Sequence, residues 1–161
     1  MTSTSNPDLA PRFEVIPARR LAGLRERYDM RHMEGIPMQW QRFAPYLTTM
    51  PGRVGDASYG VSDNFDQATG MVDYMAAVAV RNDASLPDGI VSVDLPEQRY
   101  AIFASHDHIS GIRAFIASVW STGIPKSGAT PVRGAMLERY GPEYDAASGT
   151  GGFEIWVPVQ K

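Results

Sequence analysis

One order of hydrophobic periods occurs twice along this chain and leaves few architectures open. Residues 12–80 read strand, helix, strand, strand, and residues 98–159 read the same. In both, the helix begins shortly after the first strand. Identity between the halves is slight, so the repeat is one of pattern rather than of letters. Two such units predict an α+β fold in which each helix covers one face of antiparallel strands. The opposite faces then either meet each other or stay partly open as a groove.

The individual periods support this reading. From Arg12 to Tyr28, apolar and arginine residues interleave around Pro17, which denies a ladder N–H, so two strand pieces are expected there. Ile36, Trp40, Phe43, Leu47 and Met50 fall at steps of four and three, a helical stripe with Pro37 in its first turn and Pro51-Gly52 at its end. Strands are expected over Asp56–Ser62 and Met71–Val80, separated by a turn-rich stretch from Ser62 to Gly70. A short strand follows at Ile90–Val93. The second unit has a strand over Gln98–Ser105, a helix over His108–Trp120 broken by Gly123–Gly128, and strands over Pro131–Tyr140 and Phe153–Val159. Residues 1–11 read as a mobile lead-in and 12–161 as one domain.

Composition narrows the function classes. The chain has 161 residues, 43% hydrophobic and 20% charged, enough to bury a core without staples. Fifteen basic and 18 acidic residues give a net charge of −3, with no basic stripe. Neither direct nucleic-acid binding nor an anionic membrane surface is expected. There is no cysteine, which removes disulfides, thiolate nucleophiles and iron–sulfur clusters. No apolar run approaches the roughly 18–20 residues of a membrane span, and the first ten residues lack signal-peptide character. A soluble cytoplasmic protein is the expectation. His106 and His108 lack an evident third ligand, and Gly149–Gly152 precedes a strand where a phosphate loop precedes a helix, so neither metal nor cofactor is expected.

Side-chain alternation brings out an acid. In the last strand Phe153, Ile155, Val157 and Val159 share a core face, while Glu154, Trp156 and Pro158 share the other. In the strand before it, Met136, Glu138 and Tyr140 share a face. Each strand thus offers a carboxylate and an aromatic two residues apart, and these are expected on one side of the sheet. Rings supply cation–π attraction of about 0.5–2 kcal/mol each. A carboxylate partly removed from water costs several kcal/mol unless something pairs it. An apolar organic cation meets both requirements. The plainer alternative is a rim acid paired with Arg139 or Arg133.

Four stretches also carry a family resemblance: Ile16–Gly23; Gln98–Phe103 followed by His106–Ile109; Val119–Gly128; and Leu137–Tyr140 with Phe153–Val159. In these the chain resembles the GyrI-like effector-binding family, in particular its integron-cassette-type and AraC-regulator effector-binding domains. The resemblance implies duplicated strand–helix–strand–strand units forming an antiparallel sheet, with helices on one face and a ligand cleft between the halves. It implies a helix start capped by Asp107 or His108. It aligns the family's ligand-facing glutamate with Glu138 and its second-strand aromatic with Tyr59. Many relatives carry a tryptophan where this chain has Gly123, which implies a cleft of different shape here.

The expected ligand set is Glu138 with Tyr59, Tyr140, Trp156, Met136, Trp40, Phe103 and Tyr74. The leading reading is a non-enzymatic sensor or sequestering protein for a cationic or amphipathic small molecule, linked to transcription regulation, with a regulator protein as partner. A hydrolase of strained cyclopropane-type natural products using Glu138, and a gyrase-modulating interaction protein, are the alternatives.

Overall fold

A computed structural model describes residues 9–161; residues 1–8, most of the expected lead-in, lie outside the described residues. Eight strands form one sheet: β1 (Arg12–Ile16), β2 (Arg19–Asp29), β3 (Arg53–Asp66), β4 (Met71–Val80), β5 (Val91–Leu95), β6 (Gln98–Ser105), β7 (Met136–Tyr140) and β8 (Phe153–Val159). Their order across the sheet is β1-β6-β8-β7-β3-β4-β2-β5, with every pairing antiparallel. The unit β2-β3-β4 is mirrored by β6-β7-β8, and the two join through β3 and β7. The α+β expectation holds, with helices on one face.

Several strand and helix readings shift: the strand expected over Pro131–Tyr140 begins only at Met136, past Gly134 at φ 153°. The two pieces around Pro17 do not lie together: β1 pairs with β6, while β2 pairs with β4 and β5. The stripe from Ile36 to Met50 is two helices, α1 (Ile36–Phe43) and α2 (Tyr46–Thr49). Pro45 sits between them and cannot donate to the helical ladder. β3 runs on to Asp66, so the turn shrinks to Gln67–Gly70. The second helix does not stop at Gly123. It passes from a 3₁₀ turn through α3 (Ile112–Ser118) and a π turn (Val119–Gly123) into α4 (Ile124–Ser127). Gly128, at φ 76°, ends it in the left-handed conformation glycine adopts without strain. His108 caps the start, its Nδ1 accepting from the Ser110 N–H at 3.0 Å.

Both helical layers pack on the same face. Phe43 of α1 packs on Ala22, Ala76 and Val78, and Phe115 of α3 with Val119 of the π turn packs on Phe103, Ile155 and Val157. The other face carries a third core of Leu21, Tyr59, Met75, Leu95, Tyr100, Ile102, Leu137 and Trp156. Leu21 of β2 and Tyr100 of β6 share this core although four strands separate them in the sheet. The sheet therefore curls until its helix-free face packs on itself. Among the described residues, no helix is long and apolar enough to cross a membrane.

Candidate functional site

Register decides what surrounds Glu138. It lies opposite Gly60 of β3 on one side and Ile155 of β8 on the other. Ile155 belongs to the core beneath the helices, so Glu138 faces the helices too, at the seam between α1 and α3. Only 7% of Glu138 remains accessible. The Tyr74 hydroxyl donates to its Oε1 at 2.8 Å and the Tyr140 hydroxyl donates to the same oxygen at 2.7 Å. The Trp40 indole N–H, from α1, donates to the Tyr74 oxygen at 2.9 Å. A relay thus runs from indole to phenol to carboxylate, with a second phenol closing it. Both bonds fall on Oε1, which leaves Oε2 without a partner among the described residues.

Glycine makes this geometry possible. A Cβ at position 60 would lie 2.2 Å from the Tyr74 hydroxyl and 2.6 Å from Glu138 Oε1. Gly60 is the hole into which the phenol and the acid converge. Gln39 fixes the helix above them. It is fully buried, its Nε2 donating to the Leu24 and Tyr74 carbonyls and its Oε1 accepting from the Tyr28 hydroxyl.

Burial is the largest influence on the acid and raises the Glu138 carboxyl above the ordinary range. The hydrogen bonds from Tyr140 and Tyr74, and the more distant charge of Arg113, pull the other way without cancelling it. Tyr74 and Tyr140 are pushed well above ordinary phenols, first by burial and then by the neighbouring carboxylate. They stay protonated and remain donors. Among the described residues no guanidinium or ammonium pairs Glu138; Arg139 lies 3.8 Å from Glu154 instead.

The expected ligand residues divide between the faces. Tyr74, Tyr140, Trp40 and Met136 gather on the helix side with Glu138: Trp40 packs edge-on against Tyr140 at 5.6 Å, and Met136 packs against the same core as Tyr140. Phe103 is on this side but beneath the π turn, 1% exposed, two strands from Glu138. Tyr59 and Trp156 are on the opposite face, since their partners are Arg139 and Leu137. The expectation that both carboxylate–aromatic pairs share a side is corrected here: Glu154 and Trp156 oppose Arg139 and Leu137, not Glu138. Tyr59 and Trp156 do form an aromatic box, with centroids 6.4 Å apart, but the chain fills it with its own cation. The Arg19 guanidinium carbon lies 4.9 Å from the Tyr59 centroid and 5.3 Å from that of Trp156. Glu154 is bound by Arg12 at 2.8 Å and by the Trp156 indole at 2.9 Å.

Two contributors escaped the sequence reading. Tyr144 packs at a tilt against Tyr140 with centroids 4.8 Å apart, from a loop whose periodicity signals nothing. Gly60 interrupts an otherwise ordinary strand, which is the available sign of a close approach. At Gly123 a Cβ would meet the Phe103 ring at 2.7 Å, so no tryptophan fits there; Trp120, three residues earlier in the π turn, is 43% exposed.

The sequence matches the family described as the GyrI-like small molecule binding domain over residues 9–160. The transcriptional regulator BrlR of Pseudomonas aeruginosa is 26% identical over 125 residues, which make up 77% of this chain and 45% of the regulator. The chain thus spans less than half the length of that relative. SAV2435, solved bound to tetraphenylphosphonium, aligns with a TM-score of 0.76 at 22% identity, covering 93% of each chain. The integron cassette protein VCH_CASS2 from the mobile metagenome of Vibrio cholerae aligns at 0.65 with 19% identity, over 92% of this chain and 95% of its own. At these identities the structural likeness is one of fold.

Proposed function

The chain belongs to the GyrI-like small-molecule-binding family, and from that premise we propose that it binds a lipophilic organic cation at Glu138, as the ligand-sensing element of a transcription-regulating system. The observation that carries this reading is a buried carboxylate with two tyrosine donors on one oxygen and, among the described residues, no counter-cation. Such an acid is costly by itself and gains most from a cation brought out of water with it. Tyr140, Tyr74, Trp40 and Met136 supply the polarisable walls, and Oε2 is the oxygen that meets the charge. The tetraphenylphosphonium complex of SAV2435 supports the ligand class. The regulator relative supports the setting.

Tetraphenylphosphonium, titrated into the protein by calorimetry, tests the proposal. Glu138→Gln keeps the shape and removes the charge, and is expected to weaken binding at least about tenfold, or about 1.4 kcal/mol. Equal affinity in the two proteins overturns it.

The raised carboxyl of Glu138 favours one second reading, in which the acid passes a proton during hydrolysis of a strained cyclopropane ring. Turnover of a reactive cyclopropane compound, lost in Glu138→Gln, distinguishes catalysis from binding.

A further inference from the structure

A cavity of about 550 Å³ opens on the sheet away from the helices. Its origin is a bulge in β3. Arg53 pairs with Val80 and Ser58 with Val78, so four residues of β3, Val54 to Ala57, stand against Ala79 alone. Gly55, at φ 74°, takes the left-handed conformation this excursion needs. The bulge parts β3 from the end of β4, and Arg19, Arg20, Arg81 and Arg139 line the space beside one carboxylate, Asp56.

Three of these guanidinium groups have acidic partners. Arg20 pairs with Asp94 at 2.9 Å, Arg81 with Asp83 at 3.3 Å, and Arg139 approaches Glu154 at 3.8 Å. Arg19 has none among the described residues. Its Nη1 donates to the Tyr59 hydroxyl at 3.2 Å, the Tyr100 hydroxyl lies beside the same guanidinium, and its Nη2 is closed off from solvent. Lysine in this position could shed its proton, but arginine cannot. A guanidinium partly removed from water, with no carboxylate beside it, is stabilised by an oxyanion, and its flat fork matches a carboxylate or sulfonate edge. The cation–π contacts with Tyr59 and Trp156 hold that fork in place. Val54, Ala57 and Ala79 give the same cavity apolar wall.

We infer that this cavity is a binding site for a small organic anion, a carboxylate or sulfonate carried on an apolar ring, with Arg19 as its anchor. It is separate from the site at Glu138 and opposite in charge. The two lie back to back: Gly60–Glu138 and Tyr59–Arg139 are successive pairs of the β3–β7 ladder and face opposite sides. The inference stands on the Arg19 cavity alone and does not need the cation reading.

Naphthalene-1-sulfonate is the probe, with uncharged 1-naphthalenemethanol as control, both followed by tryptophan fluorescence and calorimetry on the full chain. The sulfonate is expected to saturate and to bind at least tenfold tighter than the alcohol. Arg19→Gln is expected to remove that preference. Two exposed rim positions extend the test without disturbing the core: Val54→Glu weakens the sulfonate severalfold and not the alcohol, and Asp56→Asn strengthens the sulfonate. Equal binding of sulfonate and alcohol overturns the inference, as does a sulfonate affinity indifferent to Val54→Glu. Should Arg19→Gln not fold, the two rim variants decide the matter.

Discussion

Gly60→Ala is the sharpest probe of the buried acid. The backbone at this position tolerates alanine, and in a strand the change by itself is worth roughly 0.5–1 kcal/mol in alanine's favour. The added carbon, however, would stand 2.2 Å from the Tyr74 hydroxyl and 2.6 Å from Glu138 Oε1. Tyr74 is 1% exposed and has nowhere to retreat. Overpacking costs about 1–3 kcal/mol. Losing the bond from Tyr74 to a charged acceptor costs about 1.5–3 kcal/mol more. The net expectation is a loss of about 2–5 kcal/mol, read as the shift of the urea midpoint at constant slope. Tyr74→Phe removes both the 2.2 Å contact and the bond. In that background Gly60→Ala should cost at least about 1 kcal/mol less than in the wild type, a coupling measurable by a double-mutant cycle. Additivity within about 0.5 kcal/mol, or a single-variant cost below about 1 kcal/mol, would refute the claim that glycine is there to admit the phenol–carboxylate bond.

Other outcomes follow from the same groups. Because burial raises Glu138, the folded chain holds this proton more tightly than the unfolded one. That contribution to stability is complete below the unfolded value of 4.5 and fades as pH rises through the raised titration. Glu138→Gln should therefore gain on the wild type in urea melts as pH increases; a stability difference that is flat with pH would contradict the shift. Tetraphenylphosphonium affinity should fall as acidification protonates Glu138, approaching tenfold per pH unit below its titration, and the Gln variant should lack this dependence in calorimetry. Gln39→Leu leaves the Leu24 and Tyr74 carbonyls and the Tyr28 hydroxyl without its hydrogen bonds, and should cost about 2–4 kcal/mol in the same melts.

What the sequence made legible was whatever a single strand or helix decides for itself. The spans Met71–Val80, Gln98–Ser105 and Phe153–Val159 are observed as expected, because unbroken alternation or continuous apolar runs bounded by turns specify them locally. Alternation also put Glu138 with Tyr140 and Met136. It could not say which side of β8 faces which side of β7, because a shift of one residue in register inverts every side chain. Pairing of Glu138 with Ile155, rather than with Glu154, is a property of the assembled sheet, and it sends Tyr59 and Trp156 to the far face. Pro45 breaks the helix although Leu47 and Met50 keep the helical spacing. Nothing in the sequence sets Arg19 apart from the other arginines around Pro17, and only the curl of the sheet carries it over two rings.

The placement of β1 bears on how the chain reaches its native state during synthesis. Arg12 lies opposite Ile102, and between them the chain makes the whole of the other half-sheet. Of the eight strands β1 is made before the other seven, and it must wait for a partner made some ninety residues later, so its backbone edge stays unpaired while β2 to β5 are synthesised. Closing so long a loop is slow, and a nascent intermediate lacking this seam would expose the flank of β6 to chaperones or to another nascent chain.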